Sequence, residues 1–162
     1  MTTRALGIDV GTSGVRCSVL DLDGREHASA EASMAEAGSD LRAPEVWRAT
    51  LTMALQRLSE KTALSSIAAL SVDGTSGTVL ALDASGRPVG SALMYNDAVE
   101  DAPILNAIKT AAPRDSAAHG ASSALARACV LQKRGGAVRL LHQADWIAEL
   151  LVGHPVGSDE SN

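Results

Sequence analysis

The sequence contains no phenylalanine, and aromatic residues make up 2% of its 162 residues. Leu, Val, Ile and Ala must therefore fill the core, with Trp47, Trp146 and Tyr95 as the aromatic side chains. The same shortage removes the stacking platforms with which proteins bind single-stranded nucleic acids. Lysine and arginine number 14 against 19 acidic residues, and no basic cluster is dense enough to neutralise a phosphate backbone. We therefore expect no nucleic-acid partner.

Long apolar runs are also lacking, although apolar residues make up 46% of the chain. No run approaches the ~20 residues that span a bilayer, and the N-terminus lacks the features of a secretory signal. We expect a cytoplasmic protein with no membrane partner. Cysteine is scarce as well: Cys17 and Cys129 form no Cys-x-x-Cys pair, so neither a disulfide scaffold nor a zinc site is indicated. Both are expected to be small buried side chains.

The pattern of apolar residues predicts one α/β domain, as the length of 162 residues also suggests. Alternation from Leu6 to Leu20 and beyond, broken by glycine-containing turns, predicts two successive hairpins and an antiparallel edge of three strands. The remaining predicted elements are a helix from Pro44 to about Lys61, a strand from Ile67 to Val72, a hairpin with arms Thr78–Leu82 and Pro88–Met94, and helices over 101–111, 122–133 and up to Leu151. This order is typical of a ribonuclease H-like domain, in which helices pack on a mixed sheet.

The first stretch whose residues could bind a ligand is Gly7-Ile8-Asp9-Val10-Gly11-Thr12-Ser13-Gly14-Val15-Arg16. Glycines let backbone N–H groups approach phosphate oxygens, and the hydroxyls of Thr12 and Ser13 add donors. Asp9 could hold Mg²⁺ directly or through water, and Arg16 could offset phosphoryl charge. No Gly-Lys-Ser/Thr follows, so this is not a Walker loop. On spacing alone, a plain hairpin with Asp9 capping backbone groups explains the stretch about equally well.

The second stretch closes a strongly apolar strand with polar residues and reads Ser71-Val72-Asp73-Gly74-Thr75-Ser76-Gly77, followed later by Tyr95-Asn96-Asp97. Polyols are held by carboxylates, hydroxyls and backbone groups that converge at strand ends. An ordinary hairpin would explain the turn at Gly86. It would not explain the polar cluster of Asp73, Thr75 and Ser76.

In order and spacing, these two stretches resemble the FGGY carbohydrate kinase family, whose first motif is shared with the actin-like ATPases. The resemblance implies ATP and Mg²⁺ as cofactors and a small sugar or polyol as substrate. It implies a metal site at Asp9, ATP-phosphate contacts from Gly11, Thr12, Ser13 and Arg16, and substrate contacts from Asp73, Gly74, Thr75, Ser76 and Asp97. The reaction it implies is transfer of the ATP γ-phosphoryl group to a sugar hydroxyl.

Within the family, the chain looks most like the plant and cyanobacterial D-ribulose kinases. The resemblance rests on the sequence Asp73-Gly74-Thr75-Ser76, on Tyr95-Asn96 and on the stretch His142-Gln143-Ala144-Asp145-Trp146. Glycerol kinases carry Arg-Glu, and xylulose kinases Met-His, where Ser76 and Gly77 stand here. The family resemblance as a whole favours D-ribulose or D-xylulose as the substrate. The arginine that often follows the Asn-Asp pair in the family is missing, since Val99 occupies its neighbourhood.

The resemblance covers residues 6–162 but corresponds to roughly the first third of a family member. It implies that residues 1–162 form a truncated N-terminal actin-like domain, incomplete at its C-terminus, with the second lobe absent. The proton-accepting aspartate is expected beyond residue 162, so no catalytic residue is expected in this chain. One partial lobe cannot enclose ATP, so the chain alone is expected to be inactive. Apolar surface exposed by truncation would favour a homodimer or aggregation.

Two other functions remain open, namely a non-catalytic sugar- or phosphate-binding or assembly module, and another actin-like ATPase. Asp145 is expected to be the N-cap of the last helix in preference to a sugar contact. The histidines His119, His142 and His154 fall at no metal-ligand spacing and are expected to be solvated or hydrogen-bonded.

Overall fold

The computed structural model of the chain describes residues 3–158. Its strands are β1 (Arg4–Val10), β2 (Gly14–Asp21), β3 (Glu26–Ser33), β4 (Ile67–Gly74), β5 (Val79–Leu82) and β6 (Arg139–His142). Its helices are α1 (Met34–Ala37), α2 (Pro44–Ser59), α3 (Ala102–Ala111), α4 (Ala124–Gln132) and α5 (Gln143–Val152). Contacts group these residues into two compact units, residues 3–75 with 144–156 and residues 76–143 with 157–158. In this described part, no helix is both long and apolar enough to cross a membrane.

The first unit is built on a mixed sheet, whose order within residues 3–158 is β3-β2-β1-β4. β1, β2 and β3 are joined as consecutive antiparallel hairpins, and β4 pairs parallel with β1. The predicted antiparallel edge and the mixed α/β sheet are thus confirmed. A parallel neighbour requires a crossover connection, which α2 supplies between β3 and β4.

Side chains alternate between the two faces of the sheet along each strand, and the apolar side chains on one face form the core. Ile8 and Val10 of β1 and Val15 and Cys17 of β2 are buried, and α2 packs against β2 and β3. Burial of such aliphatic side chains contributes about 1.5–3 kcal/mol each. Trp47 of α2 lies edge-on to Trp146 of α5, with ring centroids 6.1 Å apart. The opposite face carries the polar residues that alternate with this core.

β4 forms an edge of the sheet in the described residues, although its sequence is apolar. Ala68 and Ala69 are exposed, and Leu70 is 39% exposed. β4 pairs with β1 on one side, so its apolar composition is not matched by burial in this chain. This strand shows that an apolar run predicts a strand correctly without predicting how well it is covered.

In the second unit, β5 pairs antiparallel with β6, a strand that the sequence pattern did not reveal. The predicted second hairpin arm is present only as isolated bridges from β5 to Pro88 and Leu93. The two helices of this unit are capped by Asp101 and Ser123, whose side chains accept hydrogen bonds from the N–H groups of the first turn.

Three smaller expectations have mixed outcomes. Asp145 is not an N-cap, because α5 begins at Gln143 and Asp145 lies inside its first turn. Cys17 is buried as expected, whereas Cys129 is only half-buried. His119 is hydrogen-bonded, with its Nε2 2.6 Å from the carbonyl oxygen of Pro113.

Candidate functional site

The turn between β1 and β2 is held from two sides by the backbone. The N–H of Gly11 donates to the carbonyl of Gly14 at 3.0 Å, which closes the turn. The carbonyl of Ser13 accepts from the N–H of Met34 at 2.9 Å and from the hydroxyl of Ser33 at 3.4 Å. The side chains of Thr12 and Ser13 remain exposed. The turn is therefore a fixed loop that presents hydroxyl groups to solvent.

Close approach of this turn to β3 explains one of its glycines. A Cβ atom at Gly14 would lie 2.6 Å from the carbonyl oxygen of Ala32, closer than real Cβ contacts come. A Cβ at Gly11 would meet its nearest atom at 3.7 Å, which is ordinary contact. Gly14 is thus required by packing against β3.

The junction that anchors the turn is itself well capped. Ser33 caps α1, and Glu36 accepts a hydrogen bond from the backbone N–H of Ser33 at 2.8 Å, which completes a capping box. Glu36 also pairs with Arg57 of α2 at 2.5 Å. Hydrogen bonding by Arg57, and then by the Ser33 amide, lowers the pKa of Glu36 to about 2. The anchor therefore involves β3, α1 and α2.

Asp9 and Arg16 flank the turn as register partners on β1 and β2. Both side chains are exposed and line a cleft of about 460 Å³ together with Ser13, Ser33 and Glu31. The cleft brings two carboxylates, a guanidinium and two hydroxyls to one side of the turn. Such groups can bind a phosphate and its counter-cation.

Asp73 lies beside Asp9, because β4 runs parallel to β1 and the two aspartates are register partners. A second shallow cavity of about 270 Å³ is lined by both aspartates together with Arg16 and Ser71. One member of each polar stretch singled out in the sequence, Asp9 and Asp73, therefore lies on the same exposed face of the sheet within this unit. Asp9 is exposed in a cleft, where a metal ion can reach its carboxylate.

The residues after Asp73 fasten the end of β4. The Asp73 carboxylate accepts the N–H of Gly74 at 2.9 Å, and the Thr75 hydroxyl donates to the carbonyl of Val10 at 3.3 Å. A Cβ at Gly74 would come within 3.0 Å of the backbone nitrogen of Ala144. Gly74 and Thr75 thus have structural contacts in addition to the predicted binding roles.

Ser76 and Asp97 belong to the second unit. Ser76 is exposed. Asp97 accepts a hydrogen bond from the N–H of Met94 at 2.8 Å through its carboxylate, and its own N–H donates to the carbonyl of Met94 at 2.9 Å. The carboxylate of Asp97 therefore fixes the turn that carries Tyr95 and Asn96. Its predicted role as a substrate ligand stays a prediction.

Arg127 was missed by the sequence reasoning and organises this turn. It is 2% exposed, and its guanidinium donates to the carbonyls of Gly77 at 2.8 Å, Tyr95 at 3.0 Å and Asp97 at 3.2 Å, and to that of Ser122. Burial lowers the pKa of Arg127. A signal was available, since a basic residue within the predicted helix over 122–133 interrupts an otherwise apolar stretch.

The chain is similar to known carbohydrate kinases in sequence and in fold. A sequence profile of the N-terminal domain of the FGGY family of carbohydrate kinases matches residues 4–116. The xylulose kinase from Bifidobacterium adolescentis superposes with a TM-score of 0.75 at 18% identity, over 98% of this chain and 36% of that one. The xylulose kinase from Rhodospirillum rubrum gives 0.72 at 18% identity, over 94% and 35%.

A glycerol kinase from Plasmodium falciparum is also similar, with a TM-score of 0.62 at 14% identity, over 94% of this chain and 35% of that one. The chain thus spans about a third of the length of these kinases. Their structures carry the actin-like ATPase fold, which is the ribonuclease H-like architecture described above for β1 to β4. Because the profile matches more than half of the residues of this chain, the chain belongs to the FGGY family of carbohydrate kinases.

Proposed function

We propose that this chain is the N-terminal part of a cytoplasmic, ATP-dependent sugar kinase. The parent enzyme transfers the γ-phosphoryl group of ATP to a hydroxyl of a ketopentose or polyol, with D-ribulose or D-xylulose favoured. The observation that carries the proposal is the register pairing of Asp9 with Asp73 beside the Gly11–Gly14 turn. It brings a candidate phosphate cradle and a candidate polyol contact to one face of one sheet.

In this proposal, the turn binds the transferred phosphoryl group. The exposed hydroxyls of Thr12 and Ser13 donate hydrogen bonds to phosphate oxygens, and Arg16 offsets their charge. The N–H of Gly11 is engaged in closing the turn, so Gly11 contributes by shape more than as a donor. The tether from Ser13 to the start of α1 holds these groups in place before ligand arrives, which reduces the cost of ordering them.

Asp9 is the candidate ligand for Mg²⁺. Magnesium prefers hard oxygen ligands, keeps several waters, and is commonly held by one or two carboxylates together with substrate phosphates. Asp9 fits this requirement, since its carboxylate is exposed in the cleft beside the turn. Among residues 3–158 no three acidic, histidine or cysteine groups gather into a cage, which is compatible with a metal held partly by phosphate. When bound, the ion would neutralise charge on the phosphoryl oxygens.

Sugar binding is assigned to the C-terminal end of β4 in the first unit. The substrate contacts predicted for Ser76 and Asp97, which belong to the second unit, stay predictions. Asp73 and Thr75 offer a carboxylate and a hydroxyl for polyol hydroxyls, and Gly74 between them lets the end of β4 pack closely against Ala144. The residue that accepts the sugar proton, and a second lobe that closes over ATP, are proposed to lie in the parent outside this chain. Without them, we expect no turnover by residues 1–162.

A coupled ADP-release assay with D-ribulose, D-xylulose and glycerol tests the proposal. We expect turnover of a pentulose by the parent enzyme and none by the 162-residue chain. Asp9→Asn in the parent should lower kcat by on the order of 10²-fold or more, as loss of one charge-stabilising group does elsewhere. Asp23→Asn is the matched control, because Asp23 is an exposed aspartate in the turn between β2 and β3. Equal activity of both variants would refute the assignment of Asp9, and turnover by the chain alone would refute the need for a second lobe.

A further inference from the structure

A row of charged side chains crosses the sheet beside the Gly11–Gly14 turn. Arg16 is the register partner of Asp9 on one side and of Glu31 of β3 on the other. All three side chains are exposed, and register partners project from the same face with Cβ atoms about 5 Å apart. Arg16 therefore stands between two carboxylates. Only Asp9 and Arg16 were anticipated from the sequence.

Glu31 shares both the cleft and the cation of the candidate phosphate site. Its Oε2 lies 3.5 Å from Nη2 of Arg16, and the two side chains are 74% and 63% exposed. Both residues line the cleft that contains Asp9 and Ser13. An ion pair this exposed contributes little to folding stability, because water screens it. The ion pair instead affects ligand binding, because any anion that reaches Arg16 is also repelled by the negative charge of Glu31.

We propose that Glu31 is a specificity-determining residue of the anion cradle, which is formed by the Gly11–Gly14 turn and Arg16. In the absence of a ligand, Glu31 pairs with Arg16 and thereby weakens the binding of free phosphate. The inference rests on the proposed function, because it requires the turn to bind a phosphate group. Asp9, Arg16 and Glu31 together carry one net negative charge at neutral pH. The cleft therefore repels an anion whose charge is not compensated, which is discrimination by a repulsive contact.

The size of the effect follows from Coulomb's law. Removing one unit charge about 6 Å from a singly to doubly charged phosphate, in water and at physiological salt, changes the dissociation constant about 2- to 3-fold. Glu31→Gln keeps the size and shape of the side chain and removes its charge. Because the side chain is exposed, the variant is expected to fold and melt like the parent sequence.

Inorganic phosphate is the probe, titrated at constant pH and ionic strength into the 162-residue chain while the amide NMR shifts of Thr12 and Ser13 are followed. At physiological ionic strength we expect saturable shifts, an about 2- to 3-fold lower dissociation constant for Glu31→Gln, and a higher one for Arg16→Met. The matched control is Glu26→Gln. Glu26 is an exposed carboxylate on the same strand, about 17 Å from Glu31 along β3. This distance exceeds the screening length, so Glu26→Gln should leave the dissociation constant of phosphate unchanged.

The outcomes separate this inference from the proposed function. If Arg16→Met weakens phosphate binding while Glu31→Gln leaves it unchanged or weakens it, the cradle stands and the role of Glu31 is refuted. If the amides of Thr12 and Ser13 do not respond to phosphate in any variant, both the cradle and the role of Glu31 are refuted. A gain with Glu26→Gln equal to that with Glu31→Gln would reduce the effect to net charge and also refute the local role.

Discussion

Replacement of Arg127 by methionine should loosen the second unit of the chain selectively. Arg127 is 2% exposed and joins three segments by donating to the carbonyls of Gly77, Tyr95, Asp97 and Ser122. Methionine replaces the apolar stem of the arginine side chain and has no N–H group to donate. The segments that Arg127 joins would then lose their common partner, while the first unit keeps all of its own contacts.

The expected cost is about 3 kcal/mol, within a range of about 2–5 kcal/mol for breaking a buried charged hydrogen-bond network. A hydrogen bond to a charged group contributes about 1.5–3 kcal/mol, but the carbonyls freed near the exposed Tyr95 can recruit water, so the four contacts do not add. Arg127→Lys keeps the charge and reaches fewer carbonyls, because an ammonium lacks the planar fork. Its cost should be intermediate.

Hydrogen–deuterium exchange read by mass spectrometry measures this locally. Amides of β5, α4 and the turn around Asp97 should exchange on the order of 10²-fold faster in Arg127→Met, since about 1.4 kcal/mol corresponds to tenfold. Arg87→Met is the matched control, because Arg87 is an exposed arginine in a turn of the same unit. Unchanged exchange would refute the role of Arg127, and equal acceleration in β1 to β3 would refute its confinement to one unit.

Three further outcomes are expected. Burial raises the pKa of the Cys17 thiol to about 11, so a thiol reagent followed by absorbance should modify the half-buried Cys129 first, and equal rates would contradict this. Gly14→Ala should lower the free energy of unfolding in urea by about 2 kcal/mol through overpacking, more than Gly11→Ala, where a Cβ has room; equal losses would contradict it. The pKa of Glu36 is lowered in the folded chain, so the stability that Glu36 contributes should be complete at a pH above 4.5, the ordinary pKa of glutamate. It should be lost as the pH falls from there to about 2, and an NMR titration midpoint of Glu36 near 4.5 would contradict this.

Local patterns predicted most of the first unit, because its strands and α2 follow one another between residues 4 and 74. The successive hairpins follow from alternation and turn residues, and α2 follows from Pro44 and its apolar spacing. The candidate site could be anticipated for the same reason, as Asp9 and Asp73 each end an apolar strand. Their adjacency required the parallel pairing of β1 with β4, which no local pattern contains.

The second unit was harder to anticipate because its pairings are distant in sequence. β6 is a four-residue strand directly followed by a helix, and it pairs with β5 across more than fifty residues. Its run of Leu140 and Leu141 is equally compatible with the start of α5. Arg127 likewise acts on Gly77 from α4. Contacts of this kind depend on tertiary packing, which overrides local preference.

The tether of Ser13 to the start of α1 limits how freely the phosphate turn can be transplanted. Ser13 is bound by Met34 and Ser33, and the capping box of Ser33 is completed by Glu36, which Arg57 of α2 holds in turn. A graft of residues 9–16 alone into another scaffold would leave behind the supports that fix its conformation. The smallest portable piece of this chain is therefore the block from β1 through α2, with the loop and its scaffold moved together.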